Sequence, residues 1–351
     1  MFSDKKSLYY YGAAVAVVAI VGYFGMIAKQ PFETKNDENE MIRKYLLNDS
    51  PLYGFDKPKL WIHSKYELNA RKWKSFGSRS STDLNQPWLH LTIKTIINHC
   101  GDHFHICLID DEAFSQLIPG WDIDVATVAE PMKVQYRELG LAQLLHIYGG
   151  LIVPNSFLCM RSLITLYEGG TEQDRPFICE TANRSDYVAA QSKRLLFTPD
   201  ASFMGAKKHD PEMRRMVDYL KMRCRSGHFS SEAEFLGYTA QWCITEVAGG
   251  RMTLMGGESI GVKTAESKKP ILLESMMEDE FLDLHPNAYG IYIPGDEILK
   301  RPKYQWFAVL PADQILEGSF ILAKYLKSSM VDVCKPGLNV QSKEIRSVIA
   351  I

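Results

Sequence analysis

Two pairs of carboxylates in the first half of the chain are suited to metal or nucleotide chemistry. Asp110 and Asp111 directly follow an apolar stretch, and Asp122 and Asp124 form an Asp-x-Asp triplet. Carboxylate oxygens are the ligands that Mg²⁺ and Mn²⁺ prefer. A carboxylate at a strand end can also meet a ribose or a base, and the structural alternative for Asp110 and Asp111 is a helix N-cap. Because such triplets recur by chance among 42 acidic residues, Asp122 and Asp124 are only a secondary candidate for a metal site.

Histidines and cysteines also cluster in this part of the chain, between residues 99 and 107. The members are His99, Cys100, His103, His105 and Cys107. Their spacing matches no zinc-finger pattern. On a strand over residues 104–109, His105 and Cys107 lie on one face and apolar side chains on the other. The sequence therefore predicts an ordinary strand here and no metal site.

Another polar triplet follows a predicted strand. It is preceded by a predicted helix, two glycines and that short strand. Apolar residues at helical spacing predict a helix over 136–148 with one broad buried face. The glycines at 149–150 predict its end, because a residue without a Cβ readily takes a positive φ. Residues 151–153 are then predicted as a strand buried on both faces. The following triplet, residues 154–156, lies where open α/β sheets bind their ligands.

This arrangement resembles the DXD-type sugar transferases of the capsular-polysaccharide-synthesis and related glycosyltransferase families. In those families a helix containing an arginine runs into Tyr-Gly-Gly, a short apolar strand and an Asp-containing segment that binds the metal ion of a nucleotide-sugar. Arg137, Tyr148, Gly149 and Gly150 match that pattern. The resemblance implies an α/β fold of the GT-A-like, Rossmann-related class over residues 58–327.

The resemblance also implies a candidate nucleotide-sugar pocket at the strand ends. The helix arginine would help to hold the sugar-nucleotide, and its structural alternative is an ion pair with a nearby carboxylate. The first strand of the domain, residues 58–63, would lead to the nucleotide. The implied pocket residues are Trp61, Asp110, Asp111, Arg137, Tyr148, Gly149 and Gly150.

The chain departs from the family where the metal carboxylates should be. Pro154 and Ser156 flank Asn155 at the DXD position. Proline offers no side-chain ligand, and the other two offer only neutral ones. Metal-independent transferases use lysine, arginine or helix dipoles instead, and Lys207 and Lys208 are available for that role, although no basic residue falls at the vacated positions. We therefore expect no cofactor, with Mn²⁺ or Mg²⁺ required only if the chain is an active transferase.

Two functions from different classes remain. In the first, the domain keeps the transferase fold without the chemistry and is a structural or interaction component with protein partners. A large-virus particle or a membrane complex is one setting for such a protein. In the second, the chain is a divergent glycosyltransferase that moves a sugar from a nucleotide-sugar to a glycan or protein acceptor. We favour the first, because the loss falls on the residues on which the chemistry most depends.

A membrane anchor is predicted near the N-terminus. Residues 9–28 are uncharged and long enough to cross a hydrocarbon core of roughly 30 Å. Lysines precede this span within residues 1–8, and an acidic stretch follows it within a polar stalk, 29–57. This distribution predicts a single-pass protein with a cytosolic N-terminus and the globular domain across the membrane. A cleaved signal peptide is the alternative, but the apolar run exceeds a typical signal core.

Composition limits the remaining classes. The formal net charge of −2 gives no reason to expect nucleic acid as a partner. Seven cysteines without paired spacing predict buried thiols and no disulfide framework.

Asn48 and Asn183 begin sequons, which permit glycosylation in a lumen. Glu246, Glu258 and His285 are weakly supported candidates for a further acidic or histidine site residue.

The remaining elements follow from periodicity and turn residues. The predicted helices are 88–100, 112–117, 211–223, 235–247 and 313–327. The other predicted strands are 176–179, 201–206, 287–294 and 303–310, with a polar loop at 168–174 and a mixed tail at 328–351.

Overall fold

The computed structural model describes residues 56–64, 86–129, 132–183, 197–226 and 232–330, without the side chains of 232–237. The predicted span at 9–28, nearly all of the stalk and nearly all of the tail lie outside these residues. Within the described residues, no helix combines the length and the apolar character needed to cross a bilayer.

The main sheet has six strands in the order β2-β1-β3-β6-β5-β7. Strands β1, β2 and β3 are parallel, β5 is parallel to β7, and β6 runs antiparallel to both β3 and β5. A separate antiparallel pair joins β4 to β8. The strands are Lys59–His63 (β1), His105–Ile109 (β2), Gly150–Ile152 (β3), Phe157–Cys159 (β4), Phe177–Glu180 (β5), Pro199–Ala206 (β6), Thr253–Met255 (β7) and Gly290–Tyr292 (β8).

Helices alternate with these strands, so the chain is α/β, as predicted, and its mostly parallel sheet is compatible with a Rossmann-like fold. The α-helices of the described residues are Trp88–Cys100 (α1), Ala113–Leu117 (α2), Met132–Tyr148 (α3), Ile164–Thr171 (α4), Pro211–Ser226 (α5), Glu232–Ala248 (α6), Leu273–Met276 (α7), Gly295–Lys300 (α8), Gln305–Val309 (α9), Ala312–Leu316 (α10) and Ile321–Met330 (α11).

The strand register decides which residues share an edge of the main sheet. Ile109 pairs with His63, and Trp61 pairs with Ile152, so β1, β2 and β3 end side by side. Strand β6 is antiparallel, and its Met204 pairs with Ile152, which brings the start of β6 to the same edge. We call this the carboxyl edge. It gathers residues that are far apart in the sequence, and open α/β sheets bind ligands at this edge.

The glycine pair after α3 behaves as predicted. Gly149 and Gly150 have φ angles of +69° and +106°, which favour glycine. An added Cβ would lie 2.6 Å from the Lys208 nitrogen at Gly149 and 2.2 Å from the Lys59 carbonyl oxygen at Gly150. The two glycines therefore end the helix and also let β3 pack closely against its neighbours.

Two apolar clusters form the core. In the first, α3 and α5 pack on the main sheet through side chains such as Leu145, Ile152, Met204 and Met216. The second joins α1 and the β4–β8 pair to the C-terminal helices, around Trp88, Leu158, Ile291, Phe307 and Leu322. The two clusters together hold most of the fully buried side chains of the described residues.

Several predicted elements need correction. Residues 303–310, predicted as a strand, form a 3₁₀ turn and α9, because Tyr304, Phe307 and Ala308 are buried at helical spacing. The single predicted helix 313–327 is two helices separated near Gly318. The predicted loop at 168–174 overlaps α4, where Gly170 lies against the Phe177 ring.

Candidate functional site

A histidine, an aspartate and an arginine meet at the carboxyl edge. Arg137, on α3, donates from Nε and Nη2 to the two carboxylate oxygens of Asp111, at 2.8 and 2.6 Å. His63, the last residue of β1, has its Nε2 3.0 Å from Asp111 Oδ1. The two hydrogen bonds from Arg137 form a bidentate pair, the strongest geometry available to a guanidinium and a carboxylate. We call these three residues the His-Asp-Arg cluster.

Burial and charge act in opposite directions on this cluster. Burial alone raises the pKa of Asp111, but the hydrogen bonds from Arg137 and His63 outweigh it and hold the pKa well below its usual range. The His63 ring stacks on Phe114, with centroids 5.4 Å apart. Both oxygens of Asp111 are used inside the protein, so this carboxylate has little capacity left for a metal ion.

The other predicted carboxylates have structural partners or are exposed. Asp110 Oδ1 accepts a hydrogen bond from the amide of Ala113, the first residue of α2, at 3.0 Å, although the N-cap position itself is occupied by Glu112. Asp124 accepts one from the Ala126 amide at 3.0 Å and begins a 3₁₀ turn. Asp122 and Asp124 are both exposed. These bonds account for the acidic positions without a ligand.

The aromatic members of the predicted pocket also bond within the chain. Trp61 is fully buried, and its Nε1 donates to the Gly149 carbonyl at 3.0 Å. The Tyr148 hydroxyl donates to the Leu117 carbonyl at 2.7 Å. The two rings contact each other with centroids 5.8 Å apart. Trp61, Tyr148 and the two glycines thus hold β1, α3 and β3 together.

The triplet at residues 154–156 forms a corner between β3 of the main sheet and β4 of the smaller one. The carbonyl of Asn155 accepts a hydrogen bond from Thr92 Oγ1 at 2.6 Å, and that of Ser156 accepts one from the Ile293 amide at 3.2 Å. The carbonyl of Pro154 accepts from the Phe157 amide at 3.0 Å. Ser156 is buried. All three carbonyl oxygens accept hydrogen bonds from within the chain, and the three side chains are neutral. The corner therefore fits a divalent cation poorly.

Sequence reasoning missed a polar cluster beside this corner. Asp200 Oδ2 accepts a hydrogen bond from the Tyr292 hydroxyl at 2.7 Å, and Oδ1 accepts from the amide and hydroxyl of Ser202 at 2.8 and 2.6 Å. Burial raises the pKa of Asp200, and the negative charge of nearby Asp296 adds to the rise. Burial and the Asp200 charge also raise the pKa of Tyr292. No sequence pattern reveals this cluster, because Asp200 and Tyr292 are 92 positions apart.

The two lysines considered as substitutes for a metal ion lie at the opposite edge of the sheet. They follow Ala206, which pairs with Gly150 at the start of β3. Lys207 also pairs with Asp174 at 2.5 Å. Neither lysine is therefore positioned to neutralise a diphosphate at the carboxyl edge.

The three weaker candidates have protein partners as well. Glu246 pairs with Arg215 and Arg251, and Glu258 pairs with Lys268. His285 Nδ1 accepts a hydrogen bond from the Asn287 amide at 3.1 Å. Across the described ranges, no three His, Cys, Asp or Glu side chains converge as metal ligands would.

Comparison with known proteins identifies no relative of this chain. No protein-family model matches it. No curated protein and no solved structure matches it either.

Proposed function

We propose that the globular part of this protein is a GT-A-like domain that no longer performs metal-dependent sugar transfer. It serves as a structural or interaction component, tethered to a membrane through residues 9–28 and bound to protein partners. The observation that carries this proposal is the corner at residues 154–156. It offers no carboxylate, and its carbonyl groups are already hydrogen-bonded within the chain.

The loss of a metal ion would be costly to the chemistry. A divalent cation neutralises the leaving diphosphate and supplies several kcal/mol of transition-state stabilisation. Arg137 is a basic residue at the carboxyl edge, but its guanidinium already binds both oxygens of Asp111. The scaffold positions of the transferase pattern, by contrast, all have packing or hydrogen-bonding roles. A domain with these properties retains its stability without requiring catalysis.

One observation favours the alternative, an active and divergent transferase. Asp200 lies beside the corner, and Asp296 is close enough for its charge to raise the pKa of Asp200. Carboxylates that repel each other in this way can bind a cation. Against this, both oxygens of Asp200 accept hydrogen bonds from Ser202 and Tyr292. The alternative therefore requires this cluster to open when a metal ion and a nucleotide-sugar bind.

Titration of the detergent-solubilised full chain with UDP-sugars and GDP-sugars, with and without Mn²⁺, separates the two functions. The proposal expects no saturable Mn²⁺-dependent binding and no transfer of the sugar to water or an acceptor. Metal-dependent binding that is lost in Asp200→Asn and kept in Asp122→Asn would contradict it and support the alternative.

A variant that should gain Mn²⁺ binding tests directly whether the corner is a former metal site. The double substitution Pro154→Asp with Ser156→Asp restores two charged oxygen ligands at the corner. If the corner is the former metal site, Mn²⁺ affinity should rise at least about tenfold, which corresponds to about 1.4 kcal/mol. The matched double substitution Gln241→Asp with Ser328→Asp adds the same charge at two separate exposed positions and should leave Mn²⁺ affinity unchanged.

A further inference from the structure

Two cysteine thiols meet in the core between α1 and β4. Cys100 is the last residue of α1, and Cys159 is the last residue of β4. Their sulfur atoms are 3.8 Å apart, and both side chains are fully buried. Of the six cysteines in the described part of the chain, these are the two whose sulfurs contact each other. The remaining four have no such partner among the described residues.

The surrounding backbone holds the two sulfurs together. The Cys159 amide donates to Thr95 Oγ1, one turn before Cys100 on α1, at 3.0 Å. The Cys159 carbonyl accepts a hydrogen bond from Ser329 on α11. A disulfide bond is about 2.05 Å long. The two sulfurs are therefore about 1.8 Å further apart than in a disulfide, and the proposed bond requires them to move together by that amount.

The two thiols differ in acidity. The hydrogen bond between the two thiols lowers the pKa of Cys100, although burial opposes that shift. Burial raises the pKa of Cys159 well above its usual value. A thiolate is the attacking species in thiol–disulfide exchange. Cys100 directly precedes the exposed residues 101–103, so it is the sulfur placed to attack first, and Cys159 then resolves the intermediate.

We propose that Cys100 and Cys159 are an oxidative modification site, at which exchange with a disulfide-bearing oxidant forms an intramolecular disulfide. The Cys100 thiolate attacks one sulfur of the oxidant, whose S–S bond breaks and releases one thiolate. Cys159 then gives its proton to that released thiolate and attacks the Cys100 sulfur of the mixed disulfide, whose S–S bond breaks and releases the second thiolate. The second thiolate takes up from solvent the proton that Cys100 lost when it ionised. One protein dithiol and one oxidant disulfide thus give one protein disulfide and two thiols.

Access to the site comes from the turn that follows α1. Gly101, Asp102 and His103 are exposed, and they directly follow Cys100. Local opening of a helix end requires far less free energy than global unfolding. The oxidant can therefore reach Cys100 through this turn while the sheet remains folded.

The cross-link would span 59 positions, a segment that contains β2, α3, β3 and two members of the His-Asp-Arg cluster, Asp111 and Arg137. A long closed loop gives a disulfide a large stabilising effect on the folded state. This inference goes beyond the proposed function and does not depend on it. It is consistent with the predicted placement of the globular domain across the membrane, where oxidising compartments allow disulfides to form.

The test is equilibration of the full chain, in mild detergent, with mixtures of reduced and oxidised glutathione. Each sample is quenched in acid, denatured, alkylated and mapped by peptide mass spectrometry. The expected result is a dominant Cys100–Cys159 cross-linked peptide, with the other buried cysteines alkylated, and an increase in melting temperature of several degrees in the oxidised sample. Full alkylation of Cys100 and Cys159 at every glutathione ratio, or cross-links that do not favour this pair, would overturn the proposal.

Matched variants separate the cross-link from general effects of oxidation. Cys159→Ala should abolish the increase in melting temperature, whereas Cys179→Ala, which removes another fully buried thiol, should retain it. The peptide map of the unaltered protein remains decisive even if an alanine variant folds poorly. An increase in melting temperature that persists in Cys159→Ala would also contradict the proposal.

Discussion

Arg137 has a structural ion pair at a position where the sequence motif suggests a ligand-binding arginine. Its position in the helix before Tyr-Gly-Gly matches a residue expected to hold a sugar-nucleotide. In the structure its guanidinium instead binds both oxygens of Asp111, which also contacts His63. The sequence left both roles open, because it cannot show which of the nearby carboxylates an arginine will reach. The His-Asp-Arg cluster joins β1, the end of β2 and α3.

Asp111→Asn should destabilise the fold markedly. The substitution keeps the shape of the side chain but removes the charge opposite Arg137, whose side chain is only 7% exposed. A buried charge without its partner is costly, and we expect a loss of roughly 2 to 3 kcal/mol in the free energy of unfolding. Urea titration followed by tryptophan fluorescence measures it. Glu112→Gln, the neighbouring exposed carboxylate, is the control and should change the free energy by less than about 0.5 kcal/mol.

The same residue predicts a pH dependence. The pKa of Asp111 is depressed in the folded protein, so its contribution is fully present above the unfolded pKa of about 4 and decreases as the pH falls toward the folded value. The stability difference between the unaltered protein and Asp111→Asn should therefore be constant from pH 5 to 6 and shrink below about pH 4. Urea titrations at several pH values measure this difference, and a difference that grows on acidification would contradict the assignment.

At the scale of elements, Gly150 links the end of α3 to the pairing of β1 with β3. Its φ of +106° is unfavourable for any residue with a Cβ, and the position faces the Lys59 carbonyl on β1. Glycine is therefore required at position 150 for two reasons, the positive φ angle and the lack of space for a Cβ. This requirement explains why the double glycine belongs to the scaffold whether or not the domain binds a nucleotide-sugar.

Gly150→Ala should destabilise the domain by roughly 3 kcal/mol or more, from backbone strain together with the overlap against Lys59. Gly169→Ala is a matched control within α4. A Cβ there meets no atom within 4 Å. Alanine is a better helix former than glycine, so this variant should gain roughly 0.5 to 1 kcal/mol. Urea unfolding of both variants measures the contrast, and similar losses in the two would refute the steric argument.

The sequence predicted elements well where periodicity was long and the turn chemistry was clear. Helix α1 has the predicted bounds, and α3 differs only by extending four residues further at its start. Two of the three corrected elements lie in the C-terminal part. One of them, 303–310, is a short aromatic segment that fits either a strand or a helix, and packing around Phe307 selects the helix. The Asp200 cluster could not be predicted, because its geometry depends on contacts between distant segments.

At the scale of the whole molecule, the Asp200 cluster connects the two sheets. Asp200 and Ser202 belong to β6 of the main sheet, and Tyr292 is the last residue of β8 in the smaller one. The rings of Phe157 and Phe203 pack nearby with centroids 5.1 Å apart. The corner at 154–156 thus lies between two sheets that are joined by both polar and aromatic contacts.

Tyr292→Phe should weaken this junction. It removes the donor to Asp200 Oδ2 and leaves an oxygen of this half-buried carboxylate without that hydrogen bond, for an expected loss of roughly 1 kcal/mol. Tyr289→Phe is the control, because its hydroxyl bonds Thr165 in an exposed contact and should contribute little. Hydrogen exchange measures where the effect lies. Faster exchange in β6 and β8 is expected for Tyr292→Phe, and equal exchange in the two variants would argue against the junction.

The short outer strands of the main sheet restrict how this protein can associate with others. Strand β2, at one side, has five residues, and β7, at the other, has three. An incoming peptide that extended the sheet would gain only a few backbone hydrogen bonds. For the part of the chain that the structure describes, we therefore predict that partners bind to side-chain surfaces of helices and loops, which can be mapped by cross-linking or by surface-directed mutagenesis.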